Sequence, residues 1–260
     1  MAGTGIGARV ERKEDFRFIT GKGNYTDDIN RPGQAYAYFL RSPHAHAKIK
    51  KIDTKKAAAM PGVVAILTGD DIEKDKVGGL ICGWMIHSKD GSPMKSGAHP
   101  ALAQGKVRYV GDHVAVVIAE SLAEAKDAAE AINVDYEKLA PVVDLASATK
   151  KGSPAVHDVS PDNQVYDWHL GDKAAVDAAF KKAKHITKID LVNNRLVPNA
   201  MEPRAAVGDY NPGEEAFTLY TTSQNPHVAR LVLSAFIGIA PEHKLRVIAP
   251  DVGGGFGSKI

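Results

Sequence analysis

The sequence predicts an α+β fold organised as two successive units. A fully apolar strand pattern at residues 113–119 is followed by a helical pattern and then by extended composition through residue 144. A second alternation of strand and helix patterns begins at residue 164. Between the two series, the Lys-Lys-Gly-Ser-Pro stretch at residues 150–154 has the composition of a linker. We therefore expect one unit at residues 1–149 and a second at residues 150–260.

The first unit is predicted to begin with an extended, glycine-rich and charged arm over about thirty residues. A capping box, Ser121 with Glu124, marks the start of its longest helix. Residues 70–108 are rich in glycine and irregular in pattern, so we expect a long ordered surface excursion there. The expected strands are 34–41, 47–52, 63–68 and 113–119, the expected helices are 55–60 and 121–132, and residues 133–144 are expected to be extended.

The second unit is predicted to contain four or five strands and two helices. The expected strands are 164–170, 185–192, 205–210, 217–222 and 245–250, and the expected helices are 172–183 and 226–237. The last strand leads directly into a run of glycines near residue 255.

Composition excludes several classes of protein. Among 260 residues, the formal net charge is only +2, and no basic tract is concentrated enough to favour nucleic acid. No apolar run approaches the length needed to span a bilayer, and residues 1–10 do not resemble a secretory signal. Cys82 is the only cysteine, which excludes an internal disulfide and suits a reducing compartment. We expect a cytoplasmic protein.

The glycine-rich stretch from Asp251 to Lys259, DVGGGFGSK, is the most informative part of the chain. Four glycines around one aromatic residue allow the backbone to fold tightly and to approach a ligand with its N–H groups. Such loops bind anionic groups, although a glycine-rich turn is structural about as often as it is functional.

A polar turn, residues 221–227, provides a second candidate. Gln224 would sit at the end of a strand, where its amide can donate to a ligand oxygen. If adjacent strands bring this turn and the glycine-rich loop to the same sheet edge, the two would form one polar crevice.

The other candidate functional residues are better explained by structural roles. His44 and His46 supply only two potential metal ligands with no evident third, so we predict an exposed turn and no metal ligands in this chain. Cys82 has no basic neighbour to activate its thiol, and we predict a buried small residue. Glu202 and Arg204 are expected to form a structural ion pair with each other.

Six strings follow one another along the chain: RFITGKGNYTDDI at 17–29, RSPHAHA at 41–47, PGV at 61–63, MEPR at 201–204, TSQNPH at 222–227 and GGGFGSK at 253–259. In their order and approximate spacing, they resemble the molybdenum-binding large subunits of the xanthine oxidase and aerobic carbon monoxide dehydrogenase family. The resemblance covers nearly the whole chain and is greatest to the bacterial carbon monoxide dehydrogenase branch.

The resemblance implies an α/β-hammerhead domain followed by the incomplete first part of a molybdopterin-binding domain. It implies that Gln224 lies beside an oxygen ligand of molybdenum as a catalytic and cofactor-binding residue. It also implies that backbone groups of the loop contact the pterin and the metal oxygens; these map to Gly254, Gly255, Phe256 and Gly257.

The implied activity is oxidation of a small substrate with water as the oxygen source, at a molybdenum–pterin dinucleotide. The implied partners are iron–sulfur and FAD subunits, together with a missing C-terminal molybdopterin-binding region. Purine-oxidising members carry an acid after the loop lysine, where this chain has Ile260. That difference argues against xanthine and leaves carbon monoxide, an aldehyde or an N-heterocycle open.

The family's catalytic glutamate and most of its cofactor contacts lie beyond the region that these residues match. We therefore expect the isolated chain to be inactive and not to retain the cofactor. Two alternatives stay open: a split subunit completed by another chain, and a non-enzymatic binding or assembly module that retains the fold.

Overall fold

The computed structural model describes residues 5–97, 99–194 and 196–260. The strands of this part of the chain are β1 (Tyr36–Arg41), β2 (Ala47–Asp53), β3 (Val63–Thr68), β4 (Lys106–Val107), β5 (His113–Ala119), β6 (Asn133–Lys138), β7 (Ala206–Asn211), β8 (Ala216–Thr221) and β9 (Leu245–Ile248). Its α-helices are α1 (Asp15–Ile19), α2 (Lys55–Ala58), α3 (Gly69–Lys74), α4 (Leu122–Glu130), α5 (Leu145–Ala148), α6 (Lys173–Lys182) and α7 (Pro226–Val232). Short 3-10 turns occur at Thr26–Asp28 and Glu242–Lys244, and a π-helical turn, Leu233–Ile237, continues α7.

The chain forms two compact units. Within the described residues, the larger unit comprises 33–194 and 236–238, and the smaller unit comprises 5–32, 196–235 and 239–260. Each unit is a set of residues in mutual contact, which is not the same as a domain that folds independently. The predicted domain boundary between residues 149 and 150 therefore stays a prediction.

The larger unit contains two antiparallel three-stranded sheets. The first has the order β1-β5-β3, and the second has the order β4-β2-β6. Strand β5 lies in the centre of the first sheet. Its residues are almost entirely apolar, which suits this position, and Val114, Ala115 and Val117 are fully buried. Helix α4 packs against β1 and β5 through Ala125, Ala128 and Ala129, whose small side chains permit close approach.

Helix α4 begins directly after Ser121, the predicted N-cap residue. The Ser121 hydroxyl accepts a hydrogen bond from the Glu124 N–H at 3.2 Å, and it donates to the Glu124 carboxylate at 2.7 Å. One otherwise unpaired N–H at the helix start is thereby satisfied.

The smaller unit contains the sheet β7-β8-β9. Strands β7 and β8 form an antiparallel hairpin, whereas β8 and β9 are parallel. Helix α7 lies in the connection between β8 and β9, and Pro226 occupies its first turn, where no N–H is needed. Parallel neighbours end at the same edge of the sheet, so the segments that follow β8 and β9 emerge side by side.

Some predicted elements differ from the structure. Residues 164–170 and 185–192 were predicted to be strands, but they are irregular. Apolar, β-branched composition favours a strand only when another strand pairs with its backbone, and no ladder reaches either stretch within the described residues. The predicted excursion at 70–108 contains α3 at its start and β4 at its end. The arm is not extended throughout, since it includes α1 and a 3-10 turn.

None of the helices in the described residues combines the length and the apolar composition required to cross a bilayer.

Candidate functional site

Two segments of the smaller unit meet where β8 and β9 end. Gln224 follows β8 by three residues, and the glycine-rich loop, Gly253–Lys259, follows β9. The Gln224 main-chain N–H donates to the Lys259 carbonyl oxygen at 2.7 Å. The sequence prediction that both segments share one sheet edge is confirmed.

The side chain of Gln224 is fixed by the loop at its oxygen end. Its Oε1 accepts hydrogen bonds from the N–H groups of Gly257 at 2.9 Å and Lys259 at 3.3 Å. Because two donors face this position, the carboxamide oxygen must occupy it and the NH₂ group must occupy the other end. No acceptor among the described residues takes that NH₂ group, and Gln224 is exposed. It is therefore available to donate to an oxygen atom of a ligand.

The loop backbone depends on glycine at specific positions. A Cβ atom on Gly255 would lie 2.3 Å from Gln224 Oε1, so a side chain there would displace the carboxamide. Gly254 and Gly257 have φ of 103° and 82°, and Phe256 has φ of 50°. Positive φ is unfavourable for phenylalanine, and such conformations are concentrated at functional sites.

Three successive N–H groups of the loop, those of Gly254, Gly255 and Phe256, have no acceptor within the described part of the chain. Consecutive free N–H groups in a turn with left-handed residues form a concave site for anions. Together with the Gln224 NH₂ group, they provide uncharged donors suited to the oxygen atoms of an oxyanion or a metal-oxo group. The residues present thus fit a molybdenum–pterin cofactor. Phe256 is 76% exposed, so this side of the loop is accessible.

Two charged side chains anchor the ends of the loop. Glu202 accepts a hydrogen bond from the Gly253 N–H at 2.6 Å and pairs with the Lys259 ammonium at 3.2 Å. Arg204 donates to the Ser258 carbonyl oxygen at 2.8 Å. The predicted ion pair between Glu202 and Arg204 is therefore wrong, since each side chain instead binds the loop.

Within the smaller unit, the N-terminal arm contacts Asp251, two residues before the loop. Arg17 makes a bidentate ion pair with Asp251, and the Asn24 N–H donates to the same carboxylate at 2.8 Å. The hydrogen bond from Arg17 is the main reason that the pKa of Asp251 is lowered from its ordinary value of 3.8, while desolvation opposes the change. The same hydrogen bond raises the pKa of Arg17.

Sequence reasoning did not find these anchors. Arg17 and Asp251 are 234 residues apart, and Glu202 and Lys259 are 57 apart, so no local spacing connects them. The only signal available was that three of the four lie within the strings that carry the family resemblance, and that Asp251 lies two residues before the last string.

The other candidates lie outside this site. His46 is buried and its Nδ1 lies 3.0 Å from the Ala140 carbonyl oxygen, so the predicted exposed turn is wrong for this residue. No cluster of three or more metal-ligating side chains occurs in the part of the chain that the structure describes. Cys82 was predicted to be buried, but it is exposed. It lies in an irregular segment in which Trp84 and Met85 are also exposed.

Comparison with known proteins identifies two domains. The family model of the aldehyde oxidase and xanthine dehydrogenase a/b hammerhead domain matches residues 20–140. The model of the molybdopterin cofactor-binding domain matches residues 156–260. Together they account for nearly all of the chain.

Individual relatives agree with these matches. The carbon monoxide dehydrogenase large chain of Afipia carboxidovorans is 39% identical, with 98% of this chain and 32% of the relative covered. The nicotine 6-hydroxylase large subunit of Paenarthrobacter nicotinovorans is also 39% identical, with 98% and 30% covered. The structure of reconstituted CO dehydrogenase from Oligotropha carboxidovorans superposes with a TM-score of 0.84 at 38% identity, covering 98% of this chain and 32% of that one.

The chain thus spans about a third of the length of these two large subunits. The two domain matches and the identities of these relatives lead to one conclusion: the chain belongs to the family of molybdopterin-binding large subunits that includes the aldehyde oxidases, xanthine dehydrogenases and carbon monoxide dehydrogenases.

Proposed function

We propose that this chain forms one side of the molybdenum–pterin site in the large subunit of a molybdenum hydroxylase or carbon monoxide dehydrogenase. The observation that carries the proposal is the locked carboxamide of Gln224. Its oxygen is held by the N–H groups of Gly257 and Lys259, which leaves its NH₂ group as a donor beside the free loop N–H groups.

In this proposal, Gln224 and the N–H groups of Gly254, Gly255 and Phe256 bind and orient oxygen atoms of the cofactor. Neutral donors in fixed positions stabilise negative charge without the reorganisation that water requires. The bound cofactor supplies the two-electron oxidation of a small substrate with water as the oxygen source. The protein supplies binding and orientation.

The substrate class is proposed to be carbon monoxide, an aldehyde or an N-heterocycle other than a purine. Ile260 follows the loop lysine directly and is 73% exposed. An isoleucine side chain offers no hydrogen bond to a purine, which supports leaving xanthine out.

We further propose that the 260 residues alone neither retain the cofactor nor turn over substrate. The matched relatives are about three times as long, which supports a site completed by further polypeptide. The proposed partners are that molybdopterin-binding region together with iron–sulfur and FAD subunits. The cofactor is proposed to be in the dinucleotide form, and the location to be cytoplasmic.

A chimeric enzyme tests the proposal. The matching third of the Afipia carboxidovorans large chain is replaced by these 260 residues, and the molybdenum and pterin content is measured per large chain. We expect the chimera to bind both components, and we expect Gln224→Ala to lower its molybdenum content at least about tenfold, as loss of a charge-assisted hydrogen bond would.

Gln164→Ala is the matched control, because Gln164 is an exposed glutamine of the larger unit. It should leave the molybdenum content unchanged. A folded chimera that binds no molybdenum, or equal effects of the two substitutions, would contradict the proposal. The isolated chain is tested separately, since stoichiometric molybdenum in it would disprove the proposed dependence on further polypeptide.

A further inference from the structure

A buried ion pair joins Lys259 of the glycine-rich loop to Glu202. The Lys259 side chain is 2% exposed and that of Glu202 is 13% exposed. The ammonium donates to the Glu202 main-chain oxygen at 2.8 Å and to its Oε2 atom at 3.2 Å. Lysine is almost never buried to this extent unless it is paired, so the pair fixes the position of the Lys259 side chain.

The main chain of Lys259 holds Gln224 at two points. Its N–H donates to Gln224 Oε1 at 3.3 Å, and its carbonyl oxygen accepts the Gln224 N–H at 2.7 Å. One residue therefore binds Glu202 through its side chain and Gln224 through its backbone.

Glu202 also holds the opposite end of the loop. Its Oε2 atom accepts the Gly253 N–H at 2.6 Å, while a Cβ atom on Gly253 would lie 2.5 Å from Glu202 Cβ. The Glu202 Oε1 atom is buried and has no donor among the described residues. The Lys259 ammonium is consequently the main compensation for the buried carboxylate.

We propose that Glu202 is a positioning residue for Gln224, acting through the buried ammonium of Lys259. By holding both Gly253 and Lys259, its carboxylate fixes the ends of the loop whose free N–H groups lie between them. The consequence for cofactor binding rests on the proposed function, whereas the positioning itself concerns only this chain.

Hydrogen–deuterium exchange of the 260-residue chain tests the positioning without any cofactor. In Glu202→Gln and in Lys259→Met, we expect the hydrogen-bonded amides of the loop to exchange at least about tenfold faster, as loss of a charge-assisted hydrogen bond predicts; these are the amides of Gly253, Gly257, Ser258 and Lys259. Amides of β8 should keep their wild-type rates. Unchanged exchange in the loop, or equal acceleration in β8, would overturn the proposal.

Glu242→Gln is the matched control, because Glu242 forms an exposed ion pair with Arg230 in the same unit. It should leave the loop amides unaffected, and acceleration equal to that of Glu202→Gln would count against a specific role for Glu202.

The double variant Glu202→Gln with Lys259→Met separates positioning from the cost of an unpaired buried charge, and it remains informative if a single variant fails to fold. Removing both charges should restore stability, but the loop should still exchange faster than in the wild type because its tether is gone. Return of the loop to wild-type exchange would show that the pair serves stability alone.

The chimera links positioning to the cofactor. If Glu202 acts partly through Gln224, then Glu202→Gln and Gln224→Ala together should lower the molybdenum content by less than the two single losses combined. An additive loss would contradict this route. A wild-type chimera without molybdenum would refute the proposed function, yet the exchange measurements would still decide the positioning.

Discussion

At the scale of single residues, the site is built from a few contacts that a methyl group or a lost charge would break. Gln224 approaches Gly255 so closely that any side chain at position 255 would displace the carboxamide. Asp251, two residues before the loop, has a side chain that is only 9% exposed and is held by Arg17. Each contact gives a separate prediction.

Gly255→Ala should damage the site more than the fold. The new methyl group would displace the flexible Gln224 side chain, and the two hydrogen bonds to its Oε1 atom would be lost. We expect the free energy of unfolding to fall by only about 1–2 kcal/mol, while the molybdenum content of the chimera falls at least about tenfold. Urea denaturation and metal analysis measure the two effects.

Gly208→Ala is the control for this change. Gly208 lies in β7, and a Cβ atom there would have no neighbour within 4 Å. Equal loss of molybdenum in both variants would show that the contact with Gln224 is not the cause.

Asp251→Asn should abolish a pH-dependent part of the stability. The folded pKa of Asp251 lies below its ordinary 3.8, so its contribution is fully present above that value and is lost as the pH falls through the folded pKa. We expect the wild type to be the more stable protein at pH 6, and we expect the difference from Asp251→Asn to shrink towards pH 3. Thermal unfolding across this range measures it, and a difference independent of pH would contradict the assignment.

Candidate residues could be named from the sequence where the chemistry was local. Gln224 and the glycines were identifiable because a strand end and a glycine-rich turn have their own signatures. Glu202 and Lys259 were not, because a charged side chain reveals its partner only after the chain has folded.

At the scale of elements, the arrangement of β8, α7 and β9 determines where the site lies. The two strands are parallel neighbours, with Tyr220 opposite Ile248 near their carboxyl ends. That register places Gln224 and the glycine-rich loop at one edge. The sequence predicted the elements and their order, whereas the pairing and its direction came only from the structure.

Helix α4 provides an element-scale prediction. Ser121→Ala removes the side chain that caps the helix and should lower the free energy of unfolding by about 1 kcal/mol. Ser96→Ala, at an exposed serine, is the control and should stay within about 0.5 kcal/mol of the wild type. Urea denaturation compares them, and equal stabilities would show that the cap contributes nothing.

The wrongly predicted strands show the limit of composition at this scale. Residues 185–192 are rich in the β-branched and apolar side chains that strands favour, yet they remain irregular. Hydrogen bonding to a neighbour decides whether such a stretch becomes a strand, and the neighbour is not encoded in the stretch itself.

At the scale of the whole molecule, a long segment leaves apolar side chains in contact with water. Leu191, Val192, Leu196 and Val197 are 79–87% exposed. Helices α6 and α7 also expose apolar residues, among them Phe180 at 57% and Leu231 at 47%.

We expect this surface to bind a hydrophobic fluorescent dye in the isolated chain. Val192→Lys should reduce the fluorescence, whereas Val10→Lys should change it little, although both residues are nearly equally exposed at 87% and 86%. A chain that binds no dye, or equal effects of the two substitutions, would contradict the prediction that the exposed apolar side chains of this segment bind the dye.

The attachment of Arg17 to Asp251 has a consequence for biosynthesis. The two residues are 234 positions apart, so the arm emerges from the ribosome long before its binding site exists. At a synthesis rate of about 5–20 residues per second, the arm waits roughly 10–50 s for Asp251 to be made. During that interval, the nascent arm is exposed to chaperones and proteases. Its docking must therefore wait until the chain has been synthesised at least as far as Asp251.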